Sequence, residues 1–415
     1  MDPAEPLVRA PRLRVGEAED RRATWFEVFF DLVFVVAISE LAEDLAGHLS
    51  YAAVLRFAGL FVPVWWAWVL FTYYADRLDT DDIPYRLIML AAMVSIAALA
   101  VNLSKIGHGG DPAFVAAYLC IRALVVLLYA RAGRHEPLAK RIAQILGIGS
   151  GLAALVWGAS LAVSPPVRWW LWALAVTMEL SLPFVTHRLQ RDLPPSRSHI
   201  PERFGLFTII VLGQAVIDVV AGTTATRWTV TSTSTALLAF LIAASLWWLY
   251  FDFLPAGAVA RGFWPQQVFT YGHAPLLAGV VAMGVGTRGA IGQAGASSHL
   301  SGPVALLLGG GAACYLIAGC AIQLSEFPLL KDGPMAARMV AAAGGVLLAV
   351  VGGRLPALVD VVCLVVLLAG QVVIELTLGR RPWRQERLRQ VQSRGRDGNV
   401  GNAAGDAAAL ERPSG

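Results

Sequence analysis

WFEVFFDLVFVVAISELAEDLAGHL at residues 25–49 is an apolar run of membrane length that carries Glu27, Asp31 and Glu40 where a simple anchor has leucine. A run of about twenty apolar residues spans the hydrocarbon core as a helix. A carboxylate inside the bilayer is costly unless it faces the protein interior and is paired or hydrated. The stretch therefore predicts a first membrane helix whose acids have partners on other helices.

The whole chain has the composition of a membrane protein. Of its 415 residues, 57% are hydrophobic and 15% are charged, whereas soluble domains have about 25% charged residues. The mean hydropathy is +0.61 and the pI is near 9.0. The basic residues lie in loops and tails between apolar runs, which argues against a nucleic-acid partner. The composition predicts an all-α polytopic membrane protein whose partner is the lipid bilayer.

Twelve apolar segments of about twenty residues follow one another, separated by short hydrophilic breaks. They cover residues 25–46, 52–74, 85–104, 113–131, 141–163, 168–187, 203–221, 234–254, 266–286, 302–323, 336–353 and 356–378. The chain is predicted to contain a cytoplasmic N-terminal tail at 1–23, six-helix halves at 24–190 and 191–378, and a cytoplasmic C-terminal tail at 379–415. The composition of that last tail, first basic and then rich in Gly, Asn and Ala, predicts disorder.

Arginine and lysine are distributed unevenly over the two sides of the predicted membrane. With the N-terminus inside, 26 basic residues lie on the cytoplasmic side and 5 lie in outer loops. Positive residues collect on the cytoplasmic side, so both termini are predicted to be cytoplasmic. The bias towards Ala, Gly and Arg is typical of a GC-rich bacterial source, and the predicted location is the bacterial cytoplasmic (inner) membrane.

Two stretches of the chain resemble each other. WFEVFFDLVFVVAI in the first segment is echoed by PERFGLFTIIVLGQAVI in the seventh, so that Glu27 corresponds to Glu202, 175 residues later. The cluster around Trp66 is echoed by the one around Trp248, 182 residues later. This nearly constant offset predicts a parallel 6+6 repeat. In transporters with such repeats, the site lies between the halves near the midplane.

The first half contains four candidate site residues. Glu27 and Asp31 are four residues apart and share one helix face. Asp31 either specifies helix packing or binds a proton, ion or substrate, and both interpretations stay open. Arg122 and Glu179 lie mid-way along the fourth and sixth segments, at similar depth. A buried arginine needs a carboxylate partner, for which Glu179 and Asp31 are the candidates; this pair serves either structure or a substrate-anion site.

The second half contains further candidates. Gln214 lies mid-span, where it is expected to make an interhelix hydrogen bond, and Asp218 follows one turn later on the same face. His273 is expected to be a hydrogen-bonded packing residue, with a proton relay to the acid of the first segment as the alternative. The residues expected at the membrane interface are Glu202, Arg203, Asp360 and Glu375.

No cofactor or metal site is predicted. The four cysteines lie in apolar runs without metal-ligand spacing. The sequence has no Walker lysine loop, no His-Glu-x-x-His and no Gly-x-Ser-x-Gly. ATP-driven pumping and the common membrane-hydrolase mechanisms therefore lack support, and the pattern favours a protein that is not an enzyme.

With these residues in place, the chain resembles the bacterial low temperature requirement A family. The resemblance rests on WFEVFFDLVFV at 25–35, on His199 with ERFGLFTIIVLG at 202–213, and on YGHAPLL at 271–277, in the family's order, and it covers roughly residues 22–380. The family's usual Glu is replaced here by Gln214, so a proton step at that position is either absent or uses Asp218. The positions that the resemblance matches to family motifs or intramembrane charges are Glu27, Asp31, Arg122, Glu179, Glu202, Arg203 and His273. The resemblance implies a phenotype of growth in the cold and no established reaction.

Three functions agree with these patterns. The leading hypothesis is a secondary transporter or permease whose polar residues line one cavity and bind a small molecule or ion. Those residues are Asp31, Arg122, Glu179 and Gln214, with His273 nearby. The first alternative is an integral membrane enzyme that acts on a lipid or isoprenoid, with Asp31 or His273 as acid or base. The second is a non-catalytic protein of cold or stress adaptation whose polar residues serve packing. The sequence predicts no oligomeric state.

Overall fold

A computed structural model describes residues 9–13, 22–79, 81–107, 109–191, 195–255, 257–296, 299–327 and 333–378. Within these ranges the chain forms twelve long helices. They are α1 (Trp25–Gly47), α2 (Tyr51–Arg77), α3 (Ile83–Leu103), α4 (Asp111–Ala132), α5 (Pro137–Ser160), α6 (Val167–Val185), α7 (His199–Thr224), α8 (Val230–Phe251), α9 (Phe263–Ala296), α10 (Gly302–Glu326), α11 (Gly333–Val351) and α12 (Ala357–Leu378). A two-residue antiparallel ladder joins β1 (Arg12–Leu13) to β2 (Leu78–Asp79).

Ten of these helices are long and apolar enough to cross a membrane. The other two are α1, which carries five acids, and α6, which carries Arg168, Glu179 and three tryptophans. The predicted all-α polytopic membrane protein is therefore confirmed, whereas the count of twelve spans and the boundaries of the two halves stay predictions. The predicted C-terminal tail and most of the N-terminal tail lie outside the described residues.

Polar residues next to the apolar runs determine where several helices begin. At α1, the Thr24 side chain accepts a hydrogen bond from the Glu27 amide, and the Glu27 carboxylate accepts one from the Thr24 amide. This capping box satisfies backbone donors that the first helical turn leaves without partners. Ser50 caps α2 and Asp82 caps α3 in the simpler one-sided way. The position of Glu27 is thus fixed by the start of its own helix.

Helix α1 packs one face against α2, α3, α7 and α9, while its opposite face, with Phe29, Leu32 and Val36, is exposed. Its buried face includes Phe30, Phe34 and Ile38, none more than 1% exposed. In the second half, α9 and α10 approach so closely that a Cβ on Gly279 would lie 2.5 Å from the Gly311 carbonyl oxygen. Small residues permit such backbone contacts between membrane helices. The interior of the bundle is therefore formed around α1, α7 and α9.

Helix packing recurs with an offset of six helices. The contacts α1–α2, α1–α3, α3–α4, α4–α5 and α5–α6 are repeated as α7–α8, α7–α9, α9–α10, α10–α11 and α11–α12. The Ser39 hydroxyl of α1 donates to Gln214 Oε1 of α7 at 2.6 Å, and these residues are 175 positions apart. That is the offset of the predicted repeat. The packing order agrees with a parallel repeat, which stays a prediction.

Candidate functional site

Asp31 lies at the centre of a buried group of side chains from α1, α2 and α7. Arg203 Nη2 donates to Asp31 Oδ1 at 2.5 Å, and Arg203 Nε donates to Asp31 Oδ2 at 3.1 Å. This is the two-point geometry that arginine and carboxylate favour. Trp68 Nε1 donates to the same Oδ1 at 2.7 Å. All three side chains are at most 1% exposed, so the acid of α1 is satisfied by two other helices.

His199, the first residue of α7, extends this group towards α2. Its Nδ1 lies 3.0 Å from Asp76 Oδ1, and its Nε2 lies 3.3 Å from Glu27 Oε1. Arg203 Nη1 also lies 3.3 Å from Glu27 Oε1. The polar contacts therefore form one chain from Asp76 through His199, Glu27 and Arg203 to Asp31. The six residues of this inner network are Glu27, Asp31, Trp68, Asp76, His199 and Arg203.

The contacts of His199 provide a place for a proton that the network could share. A neutral imidazole has one N–H, yet both ring nitrogens of His199 face a carboxylate. The second contact is favourable when His199 is an imidazolium or when Glu27 or Asp76 is protonated. Each of the six residues is at most 3% exposed, and unpaired charge is expensive away from water. A proton held between His199 and its acids would satisfy both conditions.

The spacing of the sequence explains why these residues meet. Glu27 and Asp31 are four residues apart on α1, and His199 and Arg203 are four residues apart on α7. Residues at this spacing lie one above the other on a helix face. Because α1 packs against α7, the two acids of one helix face the two bases of the other. The network is thus two matched pairs joined to α2 by Asp76 and Trp68.

A second buried group lies within the first half, on α4, α5 and α6. Arg122 Nε lies 3.4 Å from Glu179 Oε1, and Arg122 Nη2 donates to Ser150 Oγ at 2.9 Å. The Tyr118 hydroxyl donates to Glu179 Oε2 at 2.5 Å. Of the two candidate partners, the structure therefore pairs Arg122 with Glu179. Since all these contacts stay within one half, we interpret the group as a packing contact.

Tyr118→Phe is expected to lower the free energy of unfolding by about 1.5–3 kcal/mol, because it removes a hydrogen bond to a buried charged group. Tyr315→Phe is the matched control, since the Tyr315 hydroxyl donates to the neutral Leu246 carbonyl at 2.7 Å. We expect about 1 kcal/mol for this neutral hydrogen bond. Denaturation of the purified variants checks both values. If Tyr118→Phe lowers the free energy of unfolding no more than Tyr315→Phe does, the Tyr118 hydroxyl does not donate to a buried charged group.

Gln214 and Asp218 belong to a third group, further along α7. Gln214 makes the predicted interhelix hydrogen bond, with Ser39 as its partner. Asp218 Oδ1 lies 3.8 Å from Arg288 Nη1, and Arg288 Nη1 donates to Glu43 Oε1 at 2.6 Å. Asp218 is fully buried, and neither of its oxygens has a hydrogen-bond partner in the described residues. This group joins α1, α7 and α9 about three to four helical turns from Arg203 on α7.

His273 is held by hydrogen bonds on α8 and α9. Its Nδ1 donates to the Phe269 carbonyl at 2.6 Å, and its Nε2 accepts from the Tyr250 hydroxyl at 3.0 Å. It is fully buried and its ring contacts Phe204. Both nitrogens are therefore used, and no contact with Asp31 is found among the described residues. These contacts agree with the interpretation of His273 as a hydrogen-bonded packing residue rather than as part of a direct proton relay to Asp31.

Three of the residues expected at the membrane interface are buried among other side chains of the protein. Arg203 is 1% exposed because α7 begins at His199, one turn earlier than the segment predicted from 203. Glu375 is 5% exposed, and Arg338 Nη2 donates to its carboxylate at 2.5 Å. Asp360 is fully buried. Glu202 accepts a hydrogen bond from the Ala23 amide, as suits an acid at a helix start.

The four polar residues expected to line one cavity belong to three separate groups of contacts in the described part of the chain. Asp31 lies in the inner network, Gln214 lies in the group around Asp218, and Arg122 lies with Glu179 in the group of α4–α6. The described residues also contain no group of three or more His, Cys, Asp or Glu side chains that could hold a metal ion. The inner network is therefore the candidate site.

Three residues of the inner network were not candidates in the sequence. His199 entered only as part of a motif, while Trp68 lies in the cluster around Trp66 and Asp76 follows that cluster, and neither was singled out. A signal was present for His199, because its spacing to Arg203 matches the spacing of Glu27 to Asp31. No comparable signal marks Trp68, since its role depends on the rotation of α2 about its axis.

Comparisons with known proteins agree with the resemblance found in the sequence. A family model described as "Bacterial low temperature requirement A protein (LtrA)" matches residues 22–373. The chain is 28% identical over 323 residues to a Rhizobium meliloti (strain 1021) protein described as "Uncharacterized protein RA0937". That match covers 72% of this chain and 78% of the relative. The region matched by the family model, residues 22–373, contains all six residues of the inner network.

Proposed function

The chain belongs to the bacterial low temperature requirement A family and is a multi-pass membrane protein, and from this premise we propose that it is a secondary transporter that couples the movement of a small solute to protons. In this proposal the protein lies in the bacterial cytoplasmic membrane with both termini in the cytoplasm. The inner network is the proton-binding site, and the two six-helix halves are the parts that move against each other.

The observation that carries the proposal is that the inner network crosses the boundary between the halves. Asp31 and Asp76 come from the first half, while His199 and Arg203 come from the second. In transporters built from repeats, one half or bundle rocks against the other around a fixed site. Contacts that join the halves would form and break in such a cycle. An ion pair within one half would instead move as a unit.

The charges of the inner network support proton coupling. Its three carboxylates face one arginine and one histidine, all of them buried. With both bases charged, the carboxylates of these six residues still outnumber the bases by one, so a proton can bind among them. Protonation of Asp31 or Glu27 would also weaken the ion pairs to Arg203, since a neutral carboxyl attracts the guanidinium less. Proton occupancy and the contact between the halves are therefore linked.

Solute-driven proton flux tests the proposal. The purified protein is reconstituted into liposomes that contain a pH-sensitive dye, and amino acids, carboxylates, sugars, amines and inorganic ions are added outside in turn. We expect at least one solute to change the internal pH, because its gradient drives coupled protons. Protein-free liposomes give the baseline, and a protonophore should abolish the signal.

Exchange of isotope-labelled solutes across the liposome membrane is measured beside proton flux. If no solute of the panel gives either signal, the proposal is overturned and a packing role for the buried charges is favoured. Chemical turnover of a co-purified lipid, detected by mass spectrometry, would favour the membrane-enzyme alternative instead. Both experiments use protein that size-exclusion chromatography shows to be folded.

A further inference from the structure

A cation and two acids meet on α1, α7 and α9, away from the inner network. Arg288 Nη1 of α9 donates to Glu43 Oε1 of α1 at 2.6 Å and lies 3.8 Å from Asp218 Oδ1 of α7. Arg288 and Glu43 are the charged side chains that face Asp218 among the described residues. Glu43 lies about one turn before Gly47, where α1 ends, and this is the outer end in the proposed orientation. Together Glu43, Asp218 and Arg288 form the outer cluster.

The two contacts of Arg288 differ in which parts of the protein they join. Asp218 and Arg288 belong to the second half, where α7 and α9 lie close together. A Cβ on Gly284 would lie 2.7 Å from Asp218 Oδ2, and a Cβ on Gly222 would lie 3.0 Å from Arg288 Cα. Such close packing holds the two helices as one unit. Glu43 belongs to the first half, so its contact with Arg288 crosses the boundary between the halves, whereas the contact with Asp218 does not.

The two acids of the outer cluster also differ in their surroundings. The Glu43 side chain is 51% exposed, whereas Asp218 is fully buried. Neither Asp218 oxygen has a hydrogen-bond partner in the described part of the chain, and Gln214 lies beside it without a hydrogen bond of normal geometry. A buried carboxylate without close partners is costly in its charged form and binds a proton instead. The observed pairing of Arg288 with Glu43 is therefore the one expected when Asp218 is protonated.

We propose that Asp218 is a second proton-binding site, on the outer side, and that its protonation decides whether Arg288 joins α9 to α1. With Asp218 protonated, Arg288 pairs with Glu43 and the outer ends of the halves are held together. When Asp218 releases its proton to water on the outer side, Arg288 turns to Asp218, because attraction to a buried charge exceeds attraction to a half-exposed one. The contact between the halves is then lost, and the outer side opens.

This inference rests on the proposed transport function and names its outer gate. Asp31 of the inner network and Glu43 of the outer cluster both lie on α1, about 18 Å apart along the helix axis. Each of them pairs with an arginine of the second half, Asp31 with Arg203 and Glu43 with Arg288. Both contacts are formed in the structure. A transporter that opens to one side at a time breaks one of these contacts while the other holds.

The distance between the outer ends of α1 and α9 tests the inference. Spin labels are attached at Gly47→Cys and Gly292→Cys, where an added Cβ meets nothing within 4 Å, and the full chain is placed in lipid nanodiscs. The native cysteines are first replaced by alanine; they are Cys120, Cys314, Cys320 and Cys363. Electron paramagnetic resonance measures the dipolar coupling between the labels. We expect the strongly coupled fraction to be at least about twofold larger at about pH 5 than at about pH 9, because protonation shifts the population of the two pairings.

Three variants assign the pH dependence to Asp218. Asp218→Asn imitates the protonated acid and should keep strong coupling at both pH values, although the inner network can still titrate. Glu43→Gln should give weak coupling at both, because an amide attracts Arg288 less than a carboxylate does. Asp360→Asn is the matched control, since Asp360 on α12 is also fully buried and also lacks hydrogen-bond partners in the described residues. It should behave like the parent protein. Melting temperatures establish that each variant is folded.

The inference is overturned if the coupling between the labels does not change with pH, or if folded Asp218→Asn keeps the pH dependence of the parent protein. If Asp218→Asn does not fold, the parent protein and Glu43→Gln still decide, because Glu43 is half-exposed. These outcomes are distinct from failure of the proposed function. A pH-dependent coupling without solute-driven proton flux in liposomes supports the outer site and overturns the transport proposal. Proton flux with a constant coupling overturns the outer site alone.

Discussion

Replacing Arg203 with methionine is expected to lower the free energy of unfolding by about 3–5 kcal/mol, because removal of one partner leaves buried carboxylates without their cation. Arg203 donates two hydrogen bonds to Asp31 and lies 3.3 Å from Glu27. It is 1% exposed, so water cannot replace it without a rearrangement of α1 and α7. Methionine occupies much of the space of the arginine side chain, so most of the loss of stability comes from removal of the guanidinium charge. Chemical denaturation in mixed micelles measures the effect.

Two comparisons separate charge from packing in this experiment. Adding Asp31→Asn to Arg203→Met should recover part of the stability, because one of the unpaired charges is then removed. Arg86→Met is the control at the surface, where Arg86 and Asp81 have 40% and 60% of their side chains exposed. The hydrogen bonds from Arg86 lower the pKa of Asp81, yet such an exposed pair contributes about 0–1 kcal/mol. If Arg203→Met and Arg86→Met lower the free energy of unfolding equally, the ion pairs of Arg203 are not buried as described.

The positions of the helices could be predicted from the sequence because membrane length and apolarity are local properties. The first segment was predicted at 25–46, and α1 is Trp25–Gly47. The last was predicted at 356–378, and α12 is Ala357–Leu378. Caps such as Thr24 lie directly beside the apolar run that they begin. No information about neighbouring helices is needed for any of these predictions.

The partners of the buried charges could not be predicted in the same way, because they depend on how each helix is rotated and which helices are neighbours. Glu179 and Asp31 were both candidates for Arg122, and only the packing of α4 against α5 and α5 against α6 selects Glu179. Asp31 pairs with Arg203, which the sequence placed at the interface. The apolar run of α7 does not reveal that the helix begins one turn earlier, at His199.

The largest functional effect is expected for Asp31→Asn, which should reduce solute-driven proton flux about a hundredfold, the size typical for loss of a proton-transferring side chain. Asparagine can still accept hydrogen bonds from Trp68 and Arg203, but it cannot bind or release a proton. Arg203 keeps Glu27 as a partner in this variant. The protein should therefore remain folded while coupling is lost.

The matched control for this variant is Glu375→Gln. Glu375 is also a buried carboxylate, and Arg338 donates to it at 2.5 Å. Both residues belong to neighbouring helices of the second half, α11 and α12, so this pair does not cross the boundary between the halves. The substitution makes the same chemical change, a carboxylate to an amide, at a position outside the inner network.

Solute-driven proton flux, measured side by side for the wild-type protein, Asp31→Asn and Glu375→Gln in liposomes of equal protein content, tests most directly whether the network between α1 and α7 couples protons to transport. We expect the flux to be lost in Asp31→Asn and to stay near the wild-type rate in Glu375→Gln, with both variants folded. Wild-type flux in folded Asp31→Asn would contradict this account, and so would an equal loss in the two variants.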